Sequence, residues 1–352
     1  METGARQESA PGGFAQPDPG ETPGEPVKKV PLRQLIFGFP CPFSLSWVSK
    51  LVRLKKLSAR RHALSSSVAG KLSNARRGVL SPGAKFRKAL KAERPLQIAG
   101  VIHAYAALLA QRTGFKALYI SGAGVANASI GVPDIGITTL QDVLIDVRRI
   151  ARRSPLPVLV DADTGWESPK HTVREMIKAG AAGIHIEDQV SAKRCGHLPG
   201  KQLVSANEMI RRIKAAASGR TDPDFVIMAR TDAAANEGLD KAIARAIQYR
   251  DAGADMIFAE ALTELSQYQK FADALQIPVL ANVTEFGKTP LFTVQELGSA
   301  GVSLALYPLS AFRAMNAAAL KVYRAIREQG TQKRLLAKMQ TRAELYDYLN
   351  YK

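Results

Sequence analysis

The chain has 352 residues, a formal net charge of +18 and 46% apolar residues. That length permits one large domain or two ordinary ones with an ample core. No run approaches eighteen uninterrupted apolar residues, so no membrane span is expected. The two cysteines, Cys41 and Cys195, make neither a disulfide framework nor a zinc site and suit a reducing compartment. The positive charge would attract nucleic acid through phosphates. However, no recognition motif or interleaved basic–aromatic platform accompanies it, so no nucleic-acid partner is expected. Steering of an anionic small molecule into a cleft accounts for the charge equally well.

Residues 1–80 hold 13 Lys and Arg against 5 Asp and Glu. The first 27 are rich in Gly, Pro, Glu and Ala and read as disordered. No acidic residue occurs between Glu25 and Glu93, and residues 44–57 (SLSWVSKLVRLKKL) have the pattern of a basic amphipathic helix. An acid-poor, Arg- and Ser-rich amphipathic stretch is the signature of an organellar transit segment. Against it, such segments begin at the first methionine, and here Arg6 is the one basic residue among the first 27. Two readings stand: a leader to the mitochondrial matrix, or a solvated basic tail on a cytoplasmic protein. In both, residues 1–80 form an extension and 81–352 the folded domain.

From Ser81 onwards short β-branched apolar runs alternate with helical patterns, which argues for βα units and a parallel sheet. Strands are expected at 96–103, 116–121, 157–161, 183–187, 225–230, 256–260, 278–282 and 302–307. Helices are expected at 104–112, 140–152, 206–217, 239–252 and 311–329. Eight strands, each followed by a helix, in about 270 residues fit a (β/α)8 TIM barrel with extra C-terminal helices. A doubly wound open sheet is the alternative, but no phosphate-binding glycine fingerprint follows the first strand.

Polar residues recur where these strands end: Tyr119, Ser121 and Gly122; Asp161 and Asp163; Glu187 and Asp188; Arg230 and Asp232; Glu260; Asn282 and Thr284; and Arg313 after the last. A single polar strand end is usually a cap or a turn, but in a barrel these ends open onto one mouth, where active sites form. Asp161, Asp163 and Glu187, with Asp134 on a preceding loop, crowd carboxylates that repel one another. A divalent cation resolves the conflict, and oxygen-only ligands favour magnesium or manganese. Magnesium keeps waters and takes one or two protein carboxylates, so one aspartate is expected to bind directly and the others through water. Arg230 and Arg313 offer forks for substrate carboxylates. Lys193-Arg194-Cys195-Gly196-His197 places a lone thiol among cations that favour its thiolate. The residues by themselves define metal-assisted chemistry on a di- or tricarboxylate.

Several stretches together resemble the methylisocitrate lyase family of the isocitrate lyase and phosphoenolpyruvate mutase superfamily. They are S-G-A-G at 121–124, P-D-I-G-I-T-T at 133–139, D-A-D-T-G at 161–165, H-I-E-D-Q at 185–189, K-R-C-G-H at 193–197, M-A-R-T-D at 228–232, N-V-T-E at 282–285 and L-Y-P-L-S-A-F-R at 306–313. The match runs from about Ser81 to the C-terminus, and the cysteine motif is its specific part. Isocitrate lyases are longer, with a K-K-C-G-H form.

The resemblance implies retro-aldol cleavage of (2R,3S)-2-methylisocitrate to pyruvate and succinate in the methylcitrate route of propionate breakdown. It implies magnesium, or manganese, near Asp161 and Asp163 with Asp134 and Glu187 in support. It makes Tyr119 the base for the substrate hydroxyl and Cys195 the acid that protonates the departing carbanion. Ser121, Gly122, Ala123, Cys195, Gly196, Arg230, Glu260, Asn282, Thr284, Arg313 and Arg342 would hold substrate. Phe258 and Leu306 stand either as an apolar wall around the extra methyl or as barrel packing, and His185 as a core histidine. The resemblance further implies a homotetramer whose C-terminal helices are exchanged between subunits. The rivals are a related isocitrate or oxaloacetate lyase and an inactive barrel kept for binding.

Two features depart from the family pattern. Ala123 replaces a glycine, and the segment after Asp163 (T-G-W-E-S-P-K-H-T, 164–172) is about four residues shorter, with Glu167 where the family has glycine. An intact barrel with a shortened connection is expected, with weaker metal binding as its cost.

Overall fold

The computed structural model describes residues 80–191 and 200–351, all within the second of the two units into which the chain divides, Ser73–Lys352. The expected disordered segment, the basic helix over 44–57 and the leader lie outside the described residues. So does the motif holding Cys195 and Gly196.

Eight parallel strands close into a barrel in chain order: β1 (Leu96–Gly100), β2 (Ala117–Ile120), β3 (Val158–Asp161), β4 (Gly183–Glu187), β5 (Val226–Thr231), β6 (Met256–Ala259), β7 (Val279–Asn282) and β8 (Leu304–Tyr307). Helix α1 (Pro82–Ala92) precedes the first strand, and the outer layer comprises α2 (Ala104–Arg112), α3 (Leu140–Ala151), α4 (Pro169–Ala179), α5 (Ala206–Ser218), α6 (Leu239–Asp251), α7 (Leu265–Leu275) and α8 (Val294–Ser299). The expected barrel is therefore present; most strand ends are displaced by a residue, while β1 ends three residues early at Gly100 and β8 begins two residues late at Leu304. Parallel strands covered on both faces are apolar on both, which is why β2 to β7 are buried at every position.

Two apolar clusters result. One joins the outward strand faces to the helices and includes Leu144, Ile150, Met176, Tyr249 and Phe271. The other fills the barrel with Ile98, Tyr119, Leu159, Met228, Phe258, Leu280 and Leu306. Helix α1, which the sequence pattern did not reveal, contributes Phe86, Ala89 and Leu90 to this inner cluster. Ser81 caps it and Pro82 begins it, and a Cβ on Gly83 would lie 2.4 Å from the Asp224 carbonyl carbon. Since Asp224 precedes β5, α1 closes the N-terminal end of the barrel with apolar side chains and leaves the other end for polar ones.

Strand register then fixes neighbours at that rim. Asp161 pairs with His185 and Glu187 with Arg230. After β3 the chain reverses within a few residues: Asp163, Gly165 and Trp166 all have positive φ, 46°, 91° and 49°. Ser168 caps α4 directly after that reversal, with Pro169 in its first turn. Across this short connection α4 still buries Thr172, Val173, Met176 and Ala179.

Beyond β8, the helix α9 (Ser310–Gln329) carries no buried residue, and Met315, Leu320, Tyr323 and Ile326 stand exposed on it. The chain then returns as α10 (Arg342–Tyr348), which lies against α2 through the Tyr105–Tyr348 ring pair and the Arg112–Asp347 ion pair. No helix among the described residues is long and apolar enough to cross a membrane.

Candidate active site

The rim residues expected from strand ends do converge. Ser121, Asp161, Asp163, Glu187, Arg230, Glu260, Asn282 and Thr284 are all buried at the C-terminal ends of β2 to β7 or just beyond. Gly122 is buried as well, and Ala123 is half-buried.

Asp161 accepts hydrogen bonds from the Gly122 N–H at 3.0 Å and from the Asp163 N–H at 3.1 Å. Asp163 sits in the left-handed region at φ 46°, a conformation that costs a non-glycine residue on the order of 1 kcal/mol or more and clusters at functional sites. An added Cβ on Gly122 would lie 3.1 Å from Asp161 Oδ2 and 3.1 Å from Asp163 Oδ1. Oxygens of two different carboxylates thus border one small space that only glycine leaves open.

A divalent cation fits this pair. No third His, Cys, Asp or Glu completes a ready-made cage among the described residues, as suits a hydrated oxygen-loving ion holding one or two protein carboxylates. Glu187 Oε2 lies 3.5 Å from Arg230 Nε, and Asp134 occupies a half-buried loop. That loop is tied to the β3 turn by Trp166, whose indole N–H donates to the Thr138 carbonyl at 2.9 Å.

Tyr119 was expected to be the base. Its hydroxyl lies 2.8 Å from His185 Nε2 and 3.4 Å from Asp161 Oδ2. Burial first, and then the charge of Asp161, push the phenol well above its ordinary value. His185 is the core histidine expected, stacked on Tyr119 and edge-on to Phe258.

Arg230 does not present its Nε–Nη2 edge to an incoming carboxylate. Nε donates to Asp232 Oδ2 at 2.9 Å and Nη2 to Oδ1 at 3.1 Å. Nη2 also lies 3.2 Å from Glu260 Oε2. Burial alone would lower the guanidinium's affinity for its proton, but Asp232, Glu260 and Glu187 outweigh it and hold the group firmly cationic. Burial likewise disfavours the Asp232 carboxylate, yet Arg230 and Lys201 bring its pKa down to about 2. Glu260 accepts from its neighbour Ala261 N–H at 2.8 Å and from Asn282 Nδ2 at 3.4 Å. Phe258 and Leu306 are inner-barrel residues, and the Arg230 guanidinium lies 5.2 Å from the centre of the Phe258 ring.

Arg313 and Arg342 lie on the two C-terminal helices, α9 and α10. Arg313 is exposed on the first turn of α9, 3.8 Å from Glu285 and over the Phe286 ring. Arg342 is exposed in the first turn of α10, which packs outside the barrel.

Sequence reasoning placed Asp188 at a strand end without a role and missed Lys201. Asp188 accepts from Thr231 Oγ1 at 2.8 Å, Tyr249 at 2.9 Å and the Asp232 N–H at 2.9 Å, and burial raises its pKa. Lys201 donates to Asp232 at 2.9 Å. Asp188 follows Glu187 visibly in the sequence; Lys201, beyond the cysteine motif, carries no signal of its own.

The model of the phosphoenolpyruvate phosphomutase family matches residues 86–327. The chain belongs to that family, whose members in solved structures share its barrel. The crystal structure of 2,3-dimethylmalate lyase is 34% identical with a TM-score of 0.72, covering 77% of this chain and 92% of that one. A phosphonopyruvate hydrolase, solved with oxalate and Mg++, is 27% identical with a TM-score of 0.68, covering 77% and 95%. Within the family the chain groups with the 2-methylisocitrate lyases: that of Escherichia coli (strain K12) is 62% identical over 275 residues, covering 77% of this chain and 93% of the relative.

The Gly122 cradle yields a direct test. Gly122→Ala places a methyl against both aspartates and should weaken magnesium binding about tenfold or more, while the barrel's thermal midpoint changes little. Isothermal titration with magnesium measures this, and unchanged affinity would show that the ion does not bind there.

Proposed function

We propose that this chain is a carbon–carbon lyase that cleaves (2R,3S)-2-methylisocitrate to pyruvate and succinate, as in the methylcitrate cycle of propionate breakdown. The observation that carries the reading is the Asp161–Asp163 oxygen pair at Gly122 beside the Arg230–Glu187–Glu260 cluster. It is supported by the high identity to lyases of that name and by the cysteine motif at 193–197.

Asp161 and Asp163 would hold the divalent ion, taken as magnesium on the oxygen-only donor set and on the ion in the phosphonopyruvate hydrolase complex. When bound, that ion favours ionisation of the 2-hydroxyl and accepts charge from the developing carbonyl. Tyr119, whose hydroxyl lies 2.8 Å from His185 Nε2, would take the 2-hydroxyl proton as the carbonyl forms, handing its own proton to His185. Arg230 supplies a fixed positive field for the substrate carboxylates while Asp232 holds it in place. The bond between C2 and C3 breaks with its electron pair on C3, and the Cys195 thiol delivers a proton there. Asn282 and Thr284, buried at the end of β7 and just beyond, line the remaining side of the rim as polar contacts. The exposed apolar residues of α9 support assembly with further copies of the chain as a homotetramer. Residues 1–80, with their acid-poor basic stretch, support a mitochondrial leader.

The test is release of pyruvate from 2-methylisocitrate by the full chain. Equal amounts of pyruvate and succinate are expected with magnesium and none after chelation. Cys195→Ser should lower kcat on the order of 10²–10⁴-fold, the range for loss of a positioned general acid. A folded, magnesium-replete protein that releases no pyruvate would refute the assignment and favour the inactive barrel.

A further inference from the structure

The stretch that carries the cysteine motif is described at both ends, and the two ends form an antiparallel base. Gln189 bridges Leu203. The Val190 N–H donates to the Gln202 carbonyl at 3.0 Å, and the Val204 N–H donates to the Asp188 carbonyl at 2.9 Å. Three side chains grip this base. Arg212 donates to the carbonyls of Glu187 and Gln189, Arg245 to that of Val204, and Asn236 to that of Lys201.

Lys201 itself turns inward. Its side chain is 1% exposed, an unusual place for a lysine, which is almost never fully buried unless paired. Its ammonium donates to Asp232 Oδ1, the same oxygen that accepts from Arg230 Nη2, while Oδ2 accepts from Arg230 Nε. The Asp232 N–H donates in turn to Asp188, which belongs to the base. A carboxylate bound edge-on by a guanidinium shares its plane. A third donor on one of the two oxygens fixes where that plane lies, and thus where Arg230 meets Glu187 and Glu260.

We propose that Lys201 is a positioning residue: acting through Asp232, it sets the plane of the Arg230 guanidinium and ties it to the hairpin base from which the cysteine motif springs. The inference rests on the lyase reading above. It adds that binding of the substrate carboxylates depends on how the returning limb of the hairpin is seated. Because Arg230 attracts those carboxylates before and during bond cleavage alike, loss of its alignment is felt chiefly as weaker uniform binding.

The test is a double-variant cycle in the full chain with magnesium and 2-methylisocitrate. Lys201→Met, which keeps the aliphatic stem, should lower kcat/KM about 10–100-fold, the size seen when an outer partner of a site residue is removed. Most of that loss should appear in KM. In the Asp232→Asn background the same substitution should add little, since both changes act on one guanidinium. A wild-type KM in Lys201→Met, or losses that multiply in the double variant, would overturn the proposal. If Lys201→Met alone does not fold, Asp232→Asn and the double variant are compared directly: equal constants support the chain of contacts and a further loss refutes it. If the wild-type protein does not cleave 2-methylisocitrate, the lyase reading fails separately. Hydrogen exchange at the Val190 and Val204 amides then decides: exchange about tenfold faster in the Lys201 variant supports the tie, and unchanged exchange overturns it.

Discussion

Asp161, Asp163, Glu187, Asp188, Asp232 and Glu260 are each less than a tenth exposed, and the described residues bury two cations, Arg230 and Lys201, among them. Removing an ion from water costs several kcal/mol unless hydrogen bonds and opposite charge offset it. The rim meets that demand in two ways and leaves a third to a ligand. Backbone N–H groups serve Asp161 and Asp188. The two cations serve Asp232, with Glu187 and Glu260 sharing Arg230. At Gly122, where Asp161 and Asp163 oxygens share one space, the remaining negative charge calls for a divalent cation. Such an ion would also make an anionic rim hospitable to a tricarboxylate.

The barrel makes this concentration of charge affordable by separating its two ends. Phe86, Ala89 and Leu90 of α1 fill the N-terminal end with apolar side chains, so every polar strand end belongs to the opposite rim. Register then decides who meets whom: pairing of Glu187 with Arg230 and of Asp161 with His185 follows from stagger alone. The positive φ of Asp163 shows local strain accepted to bring a second carboxylate beside the first.

Most of this organisation is legible in the sequence because a barrel strand is a short apolar run that ends in a polar residue, and both features survive without tertiary information. The helices α2, α3, α5, α6 and α9 fall close to where the apolar spacing places them. Helix α1 escapes because its burial comes from plugging the barrel, a contact with residues far away in sequence. The raised pKa of the Tyr119 phenol escapes for a similar reason: it depends on burial and on Asp161 across the strands. The fork of Arg230 looks available in sequence, yet Asp232 lies two residues on, on the same face of the chain, and takes it. The short connection after Asp163 reads as a defect in one dimension, yet α4 still buries Thr172, Val173, Met176 and Ala179.

The central claim is that the rim breaks the bond between C2 and C3 of its substrate and that the new C–H bond of succinate takes its proton through the enzyme. Mass spectrometry of products formed in D2O tests it most directly. The account predicts succinate with a single deuterium and pyruvate with none introduced by the cleavage step, formed in equal amounts. Succinate without deuterium, or consumption of 2-methylisocitrate without pyruvate, would contradict it.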